Sequence, residues 1–574
     1  MLKAMSEDGE HMSNYTQRMT FEEQIGQLLM IGFWGTTPSQ EVVDLISRYH
    51  VGNIILFSRN IRDTQQVLEL TQSLQRIAKE AGQRYPLLIA IDQENGLVQR
   101  LGEAATIFPG NMALGAIGSE EVAYQVALGT GQELEDLGIN MNLAPVVDVN
   151  NNPANPVIGV RSFGEDPDLV ARLGAAMVKG YSATGILSCL KHFPGHGDTA
   201  IDSHLALPMI PYTLERLETV ELVPFRRGIE AGAECVMIAH VSFPALTELD
   251  NLPATLSRAI IQGLLREQLN FHGVIVSDCL EMLAISETFG TERAAVMALQ
   301  AGIDLVLVSH NYPQQRGSIE AIEAALQVGE LSPQTISQAA ERVLNHKARY
   351  LSWDDIPNST SVPVGALGGE EKEGREVLGG EGGRVAARVL VDVHEREAHA
   401  QLQDRAYELS TTLVRNEDNL LPLHLDAGQR IVVVSPLRNS MSMVEDRYYS
   451  DDVLADIIKR YHTSVEILPI VLGTGVDGYE ELLQTMSEPD IFIVATVNAH
   501  LDEQQAELVR YLVSSSRSII VIAVRNPYDL MAFPQLRTYL ATYEYTRPAL
   551  TAAVRVIFGE KEARGHLPVS IPGV

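Results

Sequence analysis

Gly185-Ile186-Leu187-Ser188-Cys189-Leu190-Lys191-His192-Phe193-Pro194-Gly195-His196-Gly197-Asp198-Thr199-Ala200-Ile201-Asp202-Ser203-His204 is an apolar run that stops at a Lys-His pair and opens into a polar loop. The run 187–190 is short and bounded by turn residues, the pattern of a strand buried on both faces. Pro194, Gly195 and Gly197 disfavour a helix directly after it, so the polar side chains are delivered to the rim of a sheet. A solvated polar loop is the plainer reading of these residues. Three histidines, a lysine and two aspartates in one loop favour a site, because loops on a rigid scaffold are where reacting groups gather.

The same punctuation recurs along the first 350 residues. Apolar runs at 28–33, 53–57, 87–91, 140–143, 187–190, 235–239, 274–277 and 304–308 read as eight strands. Amphipathic stretches at 64–81, 120–137, 167–184, 214–231, 257–269 and 291–301 lie between them, and 315–328 and 332–350 follow. Eight strand–helix units in this length predict a (β/α)8 TIM-like barrel, with a doubly wound open sheet as the alternative. The barrel is favoured because Asp92, Lys191-His192, His240, Asp278 and His310 all fall at strand carboxyl ends, which a barrel gathers on one face.

After Tyr350 the character changes. Residues 359–385 are rich in Gly, Glu and Val without a period, which reads as a linker, mobile over 368–383. Strand runs at 431–435, 465–470, 491–496, 519–524 and 539–543 then alternate with helical stretches at 449–461, 503–514 and 547–558. Five such strands predict a three-layer αβα sandwich, and no glycine-rich phosphate loop opens its helices. The expected organisation is an N-terminal tail over 1–20, a catalytic barrel over 21–350, a partly disordered linker over 351–400 and the sandwich over 401–574.

Composition narrows the function. The net charge of −31 disfavours a nucleic-acid partner, since phosphate backbones need Lys/Arg neutralisation. No uninterrupted apolar stretch of about 18 residues suggests a membrane span, and the polar first 20 residues do not resemble a secretory signal. Cys189, Cys235 and Cys279 read as small core residues rather than a disulfide framework. A cytoplasmic enzyme acting on small or neutral substrates is the expectation, and oligomeric state is open.

Four motifs converge on the barrel mouth: Ile91-Asp92-Gln93-Glu94-Asn95-Gly96 with Arg100, Asn155–Gly164 including Arg161, the histidine loop, and Val276-Ser277-Asp278. Singly, each has a structural reading; Asp278 suits a helix cap and Arg161 an ion pair with Asp92. Together they ring one mouth with Asp, Arg, Lys and His, groups that match the many donors and acceptors of a polyhydroxyl ligand.

The segment 191–208, with Asn155–Gly164 and Pro253-Ala254-Thr255-Leu256-Ser257, resembles glycoside hydrolase family 3, and within it the bacterial β-N-acetylglucosaminidase branch. The likeness extends more weakly to Leu413–Leu423 at the start of the second domain. The resemblance implies a retaining, exo-acting hydrolase that releases terminal β-linked N-acetylhexosamine from a GlcNAc-containing oligosaccharide or muropeptide. It implies Asp278 as nucleophile, His204 as acid/base with Asp202 as its dyad partner, and Asp92, Arg100, Arg161, Lys191 and His192 as sugar-binding residues. It calls for no cofactor and no metal. The chain departs from the family's Asp-Gln-Glu-Gly-Gly-Arg at Asn95 and Leu97.

The chemistry fits these residue types: a carboxylate can trap the oxocarbenium-like carbon, and a partnered imidazole suits proton transfer near neutral pH. Alternatives within the family are a β-glucosidase or a β-N-acetylglucosaminide phosphorylase. A metal-dependent hydrolase using His192, His196, His204, Asp198 and Asp202 is the different-class alternative, weakened because Pro194 and Gly195 break the helix that a His-x3-His pair needs. A non-catalytic sugar-binding protein is the other. The two halves are expected to fold separately, the second contributing no catalytic group.

Overall fold

The computed structural model describes residues 15–247, 249, 251–354, 356 and 393–573, apart from 427, 436–444, 447–449, 451, 470–490 and 516–517. Eight parallel strands form one sheet: β1 (Leu29–Ile31), β2 (Asn53–Leu56), β3 (Leu88–Ile91), β4 (Met141–Asn142), β5 (Leu187–Phe193), β6 (Cys235–Ile238), β7 (Val274–Ser277) and β8 (Val306–Val308). Each pairs with the next through β7, and β8 pairs with β1. A bridge between Val276 and Leu305 brings β7 to β8, so the sheet is a nearly closed barrel and not an open one.

The strand runs are apolar throughout because both faces are covered. Leu29, Ile31, Ile54, Leu56, Ile89 and Ile91 belong to the large cluster shared with the surrounding helices. The alternate residues Met30, Ile55, Leu88, Ala90, Cys189, Cys235, Met237 and Val276 form the barrel's interior cluster, as period-two alternation dictates. Cys189 and Cys235 are free thiols side by side there, Sγ to Sγ 3.1 Å.

Seven strands end at the anticipated limits or within two residues of them. β5 instead runs on through Lys191 and His192 to Phe193, because Lys191 N–H donates to Pro145 O and its carbonyl accepts from Val147 N–H. The stretch 214–231, expected as one helix, is two: Leu214–Thr219 and Leu222–Glu230. Pro224 has no N–H for the carbonyl of Val220, which breaks the helix there. Helix Pro167–Thr184 matches its expectation, with Asp166 as N-cap, Pro at N1 and Gly185 in the left-handed C-cap conformation.

The second domain is a mixed sheet of six strands: β9 (Thr412–Asn416), β10 (Ile431–Ser435), β11 (Val465–Pro469), β12 (Ile491–Thr496), β13 (Ser518–Ala523) and β14 (Thr538–Ala541). Their order is β9-β14-β13-β12-β10-β11. Five are the anticipated parallel strands. β9 is an additional antiparallel edge, half-exposed along most of its length and so lacking the solid apolar run that marked the others. Helix Val393–Ser410 begins within the stretch expected as linker. The rest of that stretch beyond 356, including 368–383, lies outside the described residues, as do positions 1–14 of the tail, 449 and 451 of an expected helix, and 470.

The two halves share a core. Met112, Ala113, Ala116 and Val160 of the barrel lie in one apolar cluster with Val432, Phe492, Tyr528 and Tyr539 of the sandwich. Helix Val393–Ser410 packs on barrel helices Asn111–Ile117 and Glu120–Asp136. The expectation of separately folding halves does not fit this junction. Burying apolar surface is the main gain of folding, and here each half covers the other's.

Candidate active site

β5 carries Lys191 and His192 into the centre of the barrel mouth. Lys191 Nζ lies 2.7 Å from both Asp92 Oδ1 and Glu94 Oε1. Glu94 in turn receives Arg161 through Nε and Nη2, each at 2.8 Å, a bidentate pairing of fixed geometry. Burial alone would raise the Glu94 carboxyl, but Arg161 and Lys191 hold it well below the usual carboxylate range. Burial likewise works against Lys191, and Asp92 and Glu94 outweigh it and raise its pKa. Buried charges persist only when paired this way. Arg161 also approaches His192 Nε2, at 3.5 Å.

His192 is oriented from behind by Asp148, whose Oδ2 is 2.8 Å from Nδ1. Asp148 also accepts the backbone N–H groups of His192 and His196. Its carboxyl is held below its ordinary pKa: burial pushes upward, and His192 prevails. Asp148 therefore fixes the start of the histidine loop. Asn155 fixes its middle, donating to the carbonyls of His196 and Gly197 at 2.9 Å. Gly197 admits no side chain, since a Cβ would lie 1.8 Å from Val149 O.

At the loop's far end, His204 Nδ1 is 2.7 Å from Asp202 Oδ1, which also accepts the His204 backbone N–H at 2.9 Å. An ionised carboxylate only accepts, so Nδ1 carries a proton and Nε2 is the nitrogen that faces chemistry. Asp202 is held below its ordinary pKa, with burial opposed by its hydrogen bonds to His204.

Asp278 follows β7 directly. Its Oδ1 accepts Cys279 N–H at 2.7 Å. Burial raises its carboxyl, but His240, His192 and His204 lie within electrostatic reach and hold it below the ordinary value, so it is anionic at neutral pH. His240 is buried, with Nε2 donating to Cys279 O at 2.9 Å and Nδ1 2.7 Å from Thr255 Oγ1. Burial pushes its pKa down.

Asp92, Arg161, Lys191 and His192 thus form one network through Glu94, and Asp278 is within electrostatic reach of both His192 and His204. Arg100 behaves differently: its Nη1 is 2.7 Å from Asp446 Oδ2 of the sandwich. Glu94, Asp148 and Asp446 are the members of this arrangement that sequence reasoning does not reach. Glu94 sat inside a quoted motif, and Asp148 ends an apolar run as Asp278 does; nothing local marks Asp446.

The two departures from the family motif have structural explanations. Asn95 has φ +68°, a left-handed conformation that glycine and asparagine adopt most readily. Leu97 packs against the apolar cluster of the sandwich.

The residues weighed as a metal set do not converge. His196 is committed to Thr199 and Ser203 at 2.8 and 3.0 Å, and burial pushes its pKa down to about 4. Asp198 accepts Tyr212 OH. Among the described residues, Cys279, Glu281 and His310 lie within ligating reach of one another. There Glu281 already accepts backbone N–H groups from Ser309, His310 and Asn311.

Residues 20–346 match the family model for the glycosyl hydrolase family 3 N-terminal domain, and residues 411–574 match that for its C-terminal domain. A β-hexosaminidase A of Pseudoalteromonas piscicida is 32% identical, the match covering 96% of this chain and 97% of that one. The structure of a family 3 β-N-acetylglucosaminidase from a Paenibacillus species superposes with a TM-score of 0.84 at 40% identity, covering 96% of this chain and 99% of that one. A fungal multi-domain family 3 β-N-acetylglucosaminidase gives a TM-score of 0.85 at 42% identity over 96% of this chain, which spans only 61% of that longer protein. With both domain models matched in order and full-length relatives at this identity, the chain is a glycoside hydrolase and belongs to glycosyl hydrolase family 3.

Proposed function

We propose that the protein is a retaining, exo-acting β-N-acetylglucosaminidase that releases terminal β-linked GlcNAc from an oligosaccharide or muropeptide. The observation that carries this reading is the placing of an anionic Asp278 within electrostatic reach of a hydrogen-bonded Asp202–His204 pair, in the same barrel as the paired charges of Asp92, Lys191, Glu94 and Arg161. The names of the similar proteins, which are β-hexosaminidases and β-N-acetylglucosaminidases, support the amino sugar.

In the first step an Asp278 oxygen attacks the anomeric carbon as the glycosidic bond breaks. The departing oxygen takes a proton from His204, whose charge Asp202 balances. Neutral His204 then removes a proton from water, which attacks the anomeric carbon and frees Asp278. Asp92, Arg161, Lys191 and His192 are proposed to hold the sugar hydroxyls, with Arg100 at the same rim. A cytoplasmic setting remains part of the proposal; three free, buried cysteines suit a reducing compartment.

The test is turnover of p-nitrophenyl β-GlcNAc against the β-glucoside, each with and without inorganic phosphate. Preferential release of GlcNAc, unchanged by phosphate, is the expected outcome. Preference for the glucoside, or a GlcNAc 1-phosphate product, would replace the reading with one of its family alternatives.

A further inference from the structure

His240 lies just past β6, and Pro253-Ala254-Thr255-Leu256-Ser257 belongs to the loop that follows; the reaction above uses neither. The two meet behind the nucleophile. The ladder between β6 and β7 runs out at Ile238–Ser277, with a last backbone bond from Asp278 N–H to Ile238 O at 3.2 Å. Past that point a side chain takes over: the Cys279 carbonyl accepts from His240 Nε2 at 2.9 Å. Cys279 N–H is held in turn by Asp278 Oδ1 at 2.7 Å. Both polar groups of the Cys279 backbone are thereby engaged, one by the nucleophile and one by the histidine.

These partners fix the state of the ring. A carbonyl only accepts, so Nε2 carries a proton. Thr255 Oγ1 lies 2.7 Å from Nδ1 and 2.9 Å from Ala239 O, and its hydroxyl is the donor in reach of Nδ1. His240 and Thr255 are wholly buried, and burial pushes the histidine's pKa down, which favours the neutral ring. Polar groups cost free energy to bury unless they find partners. These two find theirs in each other and in the backbone of residues 239 and 279.

We propose that His240, held in one tautomer by Thr255, is a positioning residue for Asp278: by gripping the Cys279 carbonyl it fixes the backbone whose N–H holds Oδ1, and so aims Oδ2 at the anomeric carbon. This rests on the glycosidase reading, in which Asp278 is the nucleophile. Bond formation needs the attacking oxygen about 3–3.5 Å from the carbon and in line, and a misplacement of about 1 Å costs on the order of 100-fold in rate. Asp278 is half-buried, at a strand end where the ladder to β6 has stopped, so its aim depends on what holds the next residue. His240 acts through that backbone and not by touching the sugar.

The experiment compares the full-length protein with His240→Met, His240→Gln, Thr255→Val and Thr255→Ser on p-nitrophenyl β-GlcNAc. Inhibition by GlcNAc and the rate of inactivation by a mechanism-based GlcNAc fluorosugar are measured alongside. His240→Met keeps the bulk and removes the donor, so kcat and the inactivation rate should each fall about 100-fold, while the GlcNAc inhibition constant stays within about twofold. His240→Gln, whose amide offers an N–H to the same carbonyl, should recover to within about tenfold of the parent. Thr255→Val should lose about tenfold in kcat, and Thr255→Ser about twofold or less. A merely structural histidine would move GlcNAc affinity together with kcat, and glutamine would not rescue it. That pattern, or a kcat for His240→Met within a few-fold of the parent, would overturn the proposal. If His240→Met does not fold, the threonine pair carries the test, and a Thr255→Val no slower than Thr255→Ser would overturn it. Failure of the parent protein to cleave the aryl GlcNAc, or a fluorosugar bound to another carboxylate, would instead overturn the reading beneath it.

Discussion

Asp446 of the sandwich lies 2.7 Å from Arg100 of the barrel, and both side chains are almost wholly buried. Asp446 also accepts Gln99 N–H at 3.2 Å and the Ser58 hydroxyl, and its own N–H donates to Leu97 O at 3.3 Å. One carboxylate from the second domain thus ties together the β2 loop and the short antiparallel hairpin of Gln93–Asn95 and Val98–Gln99 that follows β3. Arg100 is within electrostatic reach of Asp92 and Glu94, so Asp446 sets where that positive charge stands relative to the Asp92–Lys191–Glu94 network.

Asp446→Asn should therefore raise KM for the aryl substrate about tenfold while changing kcat little, and Arg100→Ala should do the same. Removing one member of a buried pair strands the other. The double variant should consequently cost no more than the worse single, a coupling that a double-mutant cycle reads directly. Additive losses would mean that the two residues act independently.

Asp278→Asn should lower kcat on every substrate by at least about 1000-fold, the scale of losing a covalent nucleophile, while GlcNAc still binds. A mechanism-based fluorosugar should label Asp278, and labelling of another carboxylate would reassign the nucleophile. His204→Ala should be mild on activated aryl glycosides and severe, about 100-fold or more, on poor leaving groups. Asp202→Ala should follow the same trend less steeply. Equal loss on both substrate classes would give His204 a structural role.

What the sequence made legible follows from what each signal needs. Eight buried strands announce themselves because a strand covered on both faces must be apolar throughout. Lys191, His192, Asp92 and Asp278 were readable because they interrupt such runs at their carboxyl ends. Asp148 interrupts one too, after Val147, but β4 is only two residues long and its signal was correspondingly faint. β9 escaped because an edge strand need not be apolar on its open side. The Arg100–Asp446 pair was invisible for a different reason: 346 residues separate its partners, and no local pattern encodes a contact made by docking two domains.

Glu544 supplies a pH dependence at the same junction. Its Oε1 accepts Gly110 N–H of the barrel at 3.0 Å and its Oε2 accepts Tyr407 OH at 2.9 Å. Burial pushes its pKa up to about 7. A carboxyl whose folded pKa lies above its unfolded value stabilises the fold fully below about pH 4.5 and loses that contribution as pH rises through about 7. At roughly 1.4 kcal/mol per unit, the loss amounts to about 3 kcal/mol. Denaturant titrations between pH 5 and pH 8 should show this decline in the parent protein. Glu544→Gln, which keeps an acceptor for Gly110 and offers a donor to the tyrosine oxygen, should flatten it and be the more stable at pH 8. Parallel pH profiles would remove Glu544 from the account.

Truncation after residue 356 separates chemistry from support. Asp278, His204 and Asp202, the groups proposed to break the bond, all belong to the barrel, so that step should survive in any molecule that stays folded. The fold itself should not fare well. Met112, Ala113, Ala116 and Val160 lose the apolar cluster they share with the sandwich, Gly110 N–H loses Glu544, and Ala116 O loses His566 N–H. Several such losses are worth a few kcal/mol together, which lowers the melting temperature of a domain this size by on the order of 10 °C. Arg100 also loses Asp446. The expected truncate therefore aggregates on mild warming and, where soluble, cleaves p-nitrophenyl β-GlcNAc with KM raised and kcat within a few-fold of the parent. Melting curves and initial rates on the monomeric fraction check both halves of this. A truncate that melts like the parent would show that the shared core contributes little. One that stays folded but turns over no substrate would show that the sandwich supplies a reacting group as well as a wall.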